Sequence, residues 1–343
     1  MNAMLHGLCW CAVLISSTAC VRTEPFRDTD GVVIPNSIAT MEMISIGGVP
    51  QSLWFRGVDV GNPALILLHG GPGTSESALF RSYDSALEHH FLVVYWEQRG
   101  TGRSYHGDLA ADTMTIDRIV KDLDEVVELV RSRFHARRVI LLGHSWGTVP
   151  GTIYAATHPE KVAAYVGVGQ IADMPAGERL SYEFAQSQAR QRKDQKAIRE
   201  LEEIGAPPHS VNAMLVSRKW VERLGGTFHG NLSTGALIWS ALMTDEANLI
   251  DLVDFGRGNR FSLEHLWQEL AALRLSERYE SFSVPIVFIL GRYDHVVPSV
   301  LAERYFHQLR SPRKHLVWFE QSAHNPPFEE PDLFVQTLVD LLR

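Results

Sequence analysis

Short apolar runs alternate along most of the chain with longer segments whose apolar residues recur at helical spacing. A continuous apolar run bounded by turn residues is typical of a strand that is buried on both faces of a parallel sheet. Eight strands are predicted in this way, at residues 41–46, 52–55, 64–68, 91–96, 139–142, 164–168, 285–290 and 315–319. The first two flank Gly47-Gly48 and predict an antiparallel hairpin at the sheet edge. The pattern therefore predicts an α/β fold with a mostly parallel eight-stranded sheet and helices on both faces.

The alternation of strands and helices is interrupted once. Between the sixth and seventh predicted strands the pattern is helical throughout. Helices are predicted there at residues 178–203, 219–224, 235–252 and 263–273, and elsewhere at 116–134, 148–158 and 328–342. We therefore expect one domain built from residues 32–169 and 284–343, with a helical insertion at 170–283. Pro150 falls in the first turns of its helix and predicts a distorted helix start.

The amino terminus differs from the rest of the chain. Residues 5–19 are apolar, too few to span a bilayer, and end in small residues before Cys20, as in a secretory signal. Ser17-Thr18-Ala19-Cys20 also resembles a bacterial lipoprotein signal, in which Cys20 carries the lipid. Residues 1–20 are thus expected to be a signal peptide or a lipoprotein signal. We expect an exported protein, either periplasmic, secreted or lipid-anchored at Cys20, with a cytoplasmic location as the alternative.

Composition narrows the classes of function. The 343 residues are 45% hydrophobic, which allows a large core, and a formal net charge of −8 argues against nucleic acid as a partner. The cysteines all lie in the expected signal, at Cys9, Cys11 and Cys20. This position excludes a disulfide framework, a cysteine-based zinc site and a cysteine nucleophile in the body of the chain. The histidines lack the spacing of metal ligands, so that no metal is expected.

A nucleophile is predicted at Ser145. The segment Gly143-His144-Ser145-Trp146-Gly147 follows a buried strand and precedes a helix, which is the context of a nucleophile elbow. In such an elbow the serine occupies a sharp, strained turn that exposes its hydroxyl. Glycine two positions before and two after lets the neighbouring backbone pass without a clash against a β-carbon.

A serine hydroxyl needs a base, and the base needs an orienting acid. His324 lies in a loop between the last strand and the closing helix, and we assign it as the base. Asp294 follows the seventh strand and is our preferred acid; Asp173, which follows the sixth strand, is the alternative. All of these positions lie at the carboxyl ends of parallel strands, which converge on one crevice.

Stabilisation of an oxyanion requires preorganised donors, and backbone N–H groups provide them. One is expected at Trp146, directly after the nucleophile and at a helix N-terminus. The other is expected in the loop His69-Gly70-Gly71-Pro72-Gly73, at Gly71, where the missing side chain lets a substrate approach. This loop is no phosphate cradle, because no G-x-x-x-x-G-K-S/T motif follows.

Three segments together resemble the proline iminopeptidase branch of the α/β-hydrolases. They are the loop at 69–73, Tyr-Trp-Glu-Gln-Arg-Gly-Thr-Gly-Arg-Ser at 95–104, and Gly-His-Ser-Trp-Gly-Thr at 143–148. The resemblance, which includes Asp294 and His324, extends over residues 40 to 170 and from 284 onward. It implies an α/β-hydrolase fold with a helical cap at 170–283. It also implies a Ser145–His324–Asp294 triad, no cofactor and short peptides as substrates.

Two features depart from this family. Glu97 stands where the family's peptidases typically have aspartate. The Trp-Glu motif in the cap, which supplies a carboxylate for the substrate's terminal ammonium group, has no clear match; Glu183, Glu222 and Glu246 are the candidates to replace it.

The leading hypothesis is a serine hydrolase that cleaves an amide or ester of a small molecule or short peptide through an acyl-enzyme. Peptide-like amides are favoured over the esters of a carboxylesterase or lipase-like enzyme. The alternative from another class is a non-catalytic binding protein that uses the capped pocket as a receptor site.

Overall fold

The computed structural model describes residues 23–246 and 249–343. The predicted signal at 1–20, with Cys20 and its expected lipid, lies outside the described residues. Within the described residues, no helix combines the length and apolarity that crossing a bilayer requires.

An eight-stranded sheet runs through the molecule in the order β1-β2-β4-β3-β5-β6-β7-β8. The strands are β1 Ile38–Ile46, β2 Val49–Gly57, β3 Ala64–Leu68, β4 Leu92–Trp96, β5 Val139–His144, β6 Val162–Val168, β7 Ile286–Gly291 and β8 Lys314–Phe319. β1 pairs antiparallel with β2 and β2 with β4, and every other neighbouring pair is parallel. The predicted fold class is therefore confirmed. The hairpin is longer than its apolar runs, because its ladder continues through polar positions such as Thr40 and Gln51.

Helices cover both faces of the sheet. They are α1 Ser77–Asp84, α2 Ile116–Arg133, α3 Thr148–Thr157, α4 Met174–Gln191, α5 Gln195–Ile204, α6 Val211–Arg223, α7 Thr234–Leu242, α8 Leu249–Ala271, α9 Leu275–Arg278, α10 Ser299–Gln308, α11 Pro326–Glu329 and α12 Pro331–Leu342. Val126 of α2 and Tyr305 of α10 belong to the core on one face, and Phe80 of α1 and Leu338 of α12 belong to the core on the other. This is the layered arrangement that burial of both faces of a parallel sheet requires.

The helices α4 to α9 lie between β6 and β7 in the chain, and we call them the cap. α4, α5 and α6 share a small apolar cluster of their own, which includes Tyr182, Leu201 and Trp220. The helical character predicted for this part of the chain is thus observed, although several helix boundaries differ from the prediction.

The predicted helix at 178–203 is wrong as a single element. α4 ends at Gln191 and α5 begins at Gln195. Between them Lys193 adopts a φ of +55°, and the Asp194 side chain accepts hydrogen bonds from the N–H groups of Lys196 and Ala197. Asp194 is therefore a helix N-cap that the charged pattern concealed.

Other predicted helices also divide or extend. The segment 235–252 contains the end of α7 at Leu242 and the start of α8 at Leu249, while 219–224 and 263–273 belong to the longer helices α6 and α8. The closing helix predicted at 328–342 is two helices, α11 and α12. Pro331 is the first residue of α12, a position where its missing N–H breaks no intrahelical bond.

Asp84, at the end of α1, is a buried acid without compensation. It is fully buried, and neither carboxyl oxygen has a hydrogen-bond partner among the described residues. Burial raises the pKa of Asp84 well above its ordinary value, and the nearby Asp332 carboxylate adds to the effect. Ionisation of this carboxyl therefore opposes folding.

Replacement of Asp84 by Asn tests this conclusion. The folded protein holds the Asp84 proton to a higher pH than the unfolded chain, in which an aspartate ionises near pH 4. Wild-type stability therefore falls as pH rises above about 4, by at most about 1.4 kcal/mol per pH unit from this group. Since Asn does not titrate, we expect the free energy of unfolding of Asp84→Asn, measured in denaturant titrations, to increase relative to that of wild type between pH 4 and pH 8. A difference that does not change with pH would contradict the assignment.

Candidate active site

Ser145 lies in a sharp turn of the backbone. Ser145 has a φ of +51° in the turn between β5 and α3. A β-carbon at Gly143 would lie 2.6 Å from the carbonyl oxygen of Gly147, and one at Gly147 would lie 1.9 Å from that of Leu68. Both glycines are therefore required by close approach of backbone, as the sequence predicts.

The start of the following helix accommodates Pro150. A short 3₁₀ turn, Ser145–Gly147, precedes α3. Pro150 is the third residue of α3, in the first turn of the helix, where proline is tolerated. The backbone departs from α-helical geometry in the 3₁₀ turn that precedes it.

The side chains of Ser145, His324 and Asp294 meet at this elbow. Ser145 Oγ lies 2.9 Å from His324 Nε2, and His324 Nδ1 lies 2.8 Å from Asp294 Oδ2. Asp294 follows β7 and His324 follows β8, so that strand ends bring together residues that are far apart in the chain. The arrangement allows a proton to pass from the hydroxyl to the imidazole.

Asp294, and not Asp173, contacts the imidazole. The other oxygen of Asp294, Oδ1, accepts hydrogen bonds from the N–H groups of Val296 and Val297 at 2.8 and 2.9 Å. These bonds fix the carboxylate with Oδ2 toward His324. Asp173 instead caps α4 by accepting from the Ala176 N–H at 2.8 Å.

The two backbone N–H groups expected to stabilise an oxyanion belong to Trp146, the residue after Ser145, and to Gly71, which lines the same cavity. Trp146 follows Ser145 in the 3₁₀ turn, and its N–H is among those at a helix start that lack an intrahelical acceptor. Gly71 lines the same cavity as Ser145 and has a φ of +120°. A β-carbon at Gly71 would lie 2.5 Å from Gly73 N, so that the shape of the loop itself also requires glycine.

Two buried histidines beside the site have opposite hydrogen-bonding environments. His69 accepts a bond from the Gln98 N–H at Nε2 and donates from Nδ1 to the Gly70 carbonyl. One of its nitrogens is thus unprotonated, and burial lowers the pKa of His69. His144 has acceptors on both sides: Glu76 Oε1 lies 2.8 Å from Nδ1, and the His324 carbonyl oxygen lies 3.0 Å from Nε2.

This environment favours a charged His144. Burial acts to lower the pKa of His144, but the adjacent Glu76 carboxylate more than offsets it, and the pKa is raised. For Glu76, burial acts to raise the pKa, but the His144 ring and the Gly70 N–H stabilise the carboxylate, and the pKa is lowered. The two directions agree on a buried ion pair.

A cavity of about 450 Å³ opens over Ser145 and His324. The cavity is lined by the cap and by the eight-stranded sheet with its flanking helices, which we call the sheet domain. The lining is largely apolar and includes Trp54, Leu79, Met174, Phe228, Leu263 and Trp267. Such a mainly apolar pocket with a few polar groups is typical of a site for a small organic molecule or a short peptide.

Glu246 is the one of the three candidate cap carboxylates that lines this cavity. Its Oε1 accepts hydrogen bonds from Arg81 Nε at 3.1 Å and from the Thr23 hydroxyl at 2.8 Å. Glu183 is exposed, and neither Glu183 nor Glu222 reaches the cavity wall.

Glu97, the residue that departs from the family pattern, also lines the cavity. Burial raises its pKa. Its carboxylate accepts hydrogen bonds from the Ser75 hydroxyl at 2.9 Å and the Arg103 N–H at 2.8 Å. Glu97 therefore holds the loop 97–104 in shape.

The sequence reasoning missed two acids next to the site, Glu76 and Glu329. Glu329 Oε2 accepts hydrogen bonds from the N–H groups of Ala323 and Asn325 at 2.9 and 3.0 Å, on either side of His324. Burial raises the pKa of Glu329 to about 7. The sequence feature that could have indicated them is closeness in the chain to predicted site residues. Glu76 follows the loop at 69–73, and Glu329 lies five residues after His324. Within the described parts of the chain, no cluster of three or more His, Cys, Asp or Glu side chains is placed to hold a metal.

Comparison with known proteins agrees with this fold. Residues 63–197 match the family model of the alpha/beta hydrolase fold. The probable aminopeptidase YbaC of Bacillus subtilis strain 168 is 36% identical over 88% of this chain and 96% of its own length. A proline iminopeptidase of Heyndrickxia coagulans is 26% identical over 82% of this chain and 91% of its own. The crystal structure of a proline iminopeptidase-related protein from Thermus thermophilus superposes with a TM-score of 0.62 at 18% identity, covering 88% of this chain and 96% of that one.

The chain belongs to the α/β-hydrolase family, in its proline iminopeptidase-like branch. It is accordingly a hydrolase, and the resemblance derived from its motifs is confirmed.

The opposite charge states of the two buried histidines are directly measurable. In histidine-¹⁵N spectra at pH 7.5, we expect His144 to retain both ring protons, because the Glu76 carboxylate and the His324 carbonyl accept them. His69 should show one protonated and one bare nitrogen, because burial lowers its pKa below the ordinary histidine value. Assignment by His69→Asn and His144→Asn variants identifies the signals. A neutral His144 at pH 7.5 would refute the ion pair.

Proposed function

We propose that the protein is a serine hydrolase that works through an acyl-enzyme. Ser145 Oγ attacks the substrate carbonyl carbon while His324 Nε2 accepts the hydroxyl proton. The tetrahedral intermediate collapses with cleavage of the carbonyl–N or carbonyl–O bond, and His324 passes the proton to the leaving group. Water then releases the acyl group by the same route, with His324 again as the base.

The hydrogen-bonded chain from Ser145 through His324 to Asp294, open to a capped cavity, is the observation that carries this proposal. Asp294 holds the imidazole in the tautomer that leaves Nε2 free to accept a proton, and it stabilises the imidazolium that forms. The N–H groups of Gly71 and Trp146 are assigned to the oxyanion. A receptor protein would gain nothing from a base hydrogen-bonded to the serine.

Within this class we propose an aminopeptidase that acts on short peptides and resembles proline iminopeptidase. Support comes from relatives named aminopeptidase or proline iminopeptidase that align over most of the chain. A substrate with a free amino terminus needs a carboxylate in the cavity, and Glu246 supplies one.

A carboxylesterase is the second candidate, and the ion pairs of the cavity favour it. Glu246 already pairs with Arg81 at 3.1 Å, and Asp251 pairs with Arg103 at 2.6 Å. Each arginine reduces the negative charge that an ammonium group would meet, while the apolar lining suits the acyl chain of a small ester.

Variants of the three central residues test the mechanism. We expect Ser145→Ala and His324→Ala to lower kcat roughly 10⁴- to 10⁶-fold, and Asp294→Asn somewhat less, because the hydroxyl loses its base or the base its orientation. Asp173→Asn is the matched control and should leave kcat near the wild-type value. A fluorophosphonate probe should label wild type and not Ser145→Ala; an unlabelled wild type would remove the catalytic proposal in favour of a binding protein. If Asp294→Asn left kcat unchanged and Asp173→Asn lowered it strongly, the assignment of Asp294 as the acid would be refuted.

A substrate pair separates the two candidate activities. A proline arylamide and a short p-nitrophenyl ester should both be cleaved by an aminopeptidase, since the ester is the more reactive. Glu246→Gln should then raise KM for the arylamide about tenfold or more, because the ammonium loses its carboxylate, and leave KM for the uncharged ester unchanged. Turnover of the ester alone would retire the aminopeptidase in favour of the esterase.

A further inference from the structure

Glu76 and His144 form a continuous buried bridge between two loops of the site. Glu76 Oε2 accepts a hydrogen bond from the Gly70 N–H at 2.8 Å, and Glu76 Oε1 lies 2.8 Å from His144 Nδ1. His144 Nε2 in turn lies 3.0 Å from the main-chain carbonyl oxygen of His324. Glu76 is 5% and His144 2% exposed, so that water does not compete for these bonds.

Each end of the bridge holds a residue next to a reacting group. Gly70 precedes Gly71, so its fixed N–H orients the peptide plane next to the one that presents the Gly71 N–H. At the other end, the bond to the His324 carbonyl fixes the backbone from which the imidazole extends. His144 itself precedes Ser145 in the elbow.

The bridge is closely packed at both ends. A β-carbon at Gly70 would lie 2.9 Å from Glu76 Oε1. The rings of His144 and His324 have centroids 5.2 Å apart, and the edge of Phe328 closes the other side of His144 at 6.1 Å. Displacement of the Glu76 carboxylate would therefore shift the loop, the elbow and the His324 backbone together.

We propose that Glu76 and His144 are positioning residues that set the separation between the oxyanion loop and the base His324. This role rests on the proposed function and assigns Glu76 and His144, which lie in the cavity wall, to holding the two loops in place. Both ring nitrogens of His144 face acceptors within the protein, which leaves none for proton exchange with a substrate. An error of about 1 Å in such a separation costs on the order of 10²-fold in rate.

The comparison of Glu76→Ala with Glu76→Gln tests the role. Alanine leaves the Gly70 N–H and His144 Nδ1 unpaired, and we expect kcat for a p-nitrophenyl ester to fall about 100-fold with KM changed less than threefold. Glutamine is the rescue, since its amide oxygen accepts from Gly70 and its NH₂ donates to a neutral His144, which still donates to the His324 carbonyl. We expect Glu76→Gln to recover kcat to within about tenfold of wild type.

Active-site titration with a fluorophosphonate separates positioning from folding. If Glu76 positions the loops, kcat per titrated serine falls in Glu76→Ala. If Glu76 only stabilises the fold, the titrated fraction falls and kcat per titrated serine stays at the wild-type value, which would overturn the proposal. Asp122→Ala is the matched control, since Asp122 is equally buried and paired with Arg99 at 2.8 Å but bonds to neither loop. Its kcat per titrated serine should stay within about twofold of wild type.

The two proposals fail in different ways. Failure of the wild type to react with the fluorophosphonate would overturn the proposed hydrolase and this role with it. A reactive wild type together with an unaffected Glu76→Ala would overturn the positioning role alone.

Discussion

The close crossing of the elbow over the end of β3 is the constraint on which the site depends. Gly147 approaches the Leu68 carbonyl so closely that even a β-carbon would collide with it. Because Leu68 leads directly into the loop that carries Gly71, the crossing fixes the distance between the serine turn and that loop. The proposed nucleophile Ser145 and the proposed oxyanion donor Gly71, which come from different strands, are thereby held in one rigid frame before any substrate arrives.

The sequence predicts this frame well because its signals are local. The apolar runs mark the strands, and the glycines around Ser145 mark the elbow. The break between α4 and α5 is missed because Asp194, the N-cap of α5, stands in a charged stretch that resembles one continuous helix surface. The choice of Asp294 over Asp173 needs coordinates, since both acids follow strands. Glu76 and His144 are 68 residues apart in the chain, and no periodic pattern in the sequence indicates that they meet.

Two buried acids of the site are compensated by hydrogen bonds, whereas the buried Asp84 is not. Asp294 and Glu76 are buried carboxylates, and each accepts backbone N–H bonds in addition to its histidine partner. These bonds replace the lost hydration and make an ionised carboxylate tolerable in the interior. Asp84 lacks every such partner among the described residues, and its pKa is raised accordingly. Asp294 and Glu76 lie beside the elbow, where fixed geometry has a use, while Asp84 lies outside the cavity wall.

The two acids that the cap contributes to the cavity wall, Glu246 and Asp251, pair with arginines of the sheet domain, and this arrangement links specificity to the position of the cap. Arg81 and Arg103 come from the sheet domain, whereas Glu246 and Asp251 come from the cap. The same ion pairs therefore fasten the cap over Ser145 and reduce the negative potential of the cavity. An ammonium group that binds Glu246 must share it with Arg81, so that a substrate with a free amino terminus competes with the contact that holds the cap. An uncharged ester meets no such competition. If the protein is the aminopeptidase proposed above, binding of the substrate's ammonium group to Glu246 is therefore opposed by the Arg81 contact.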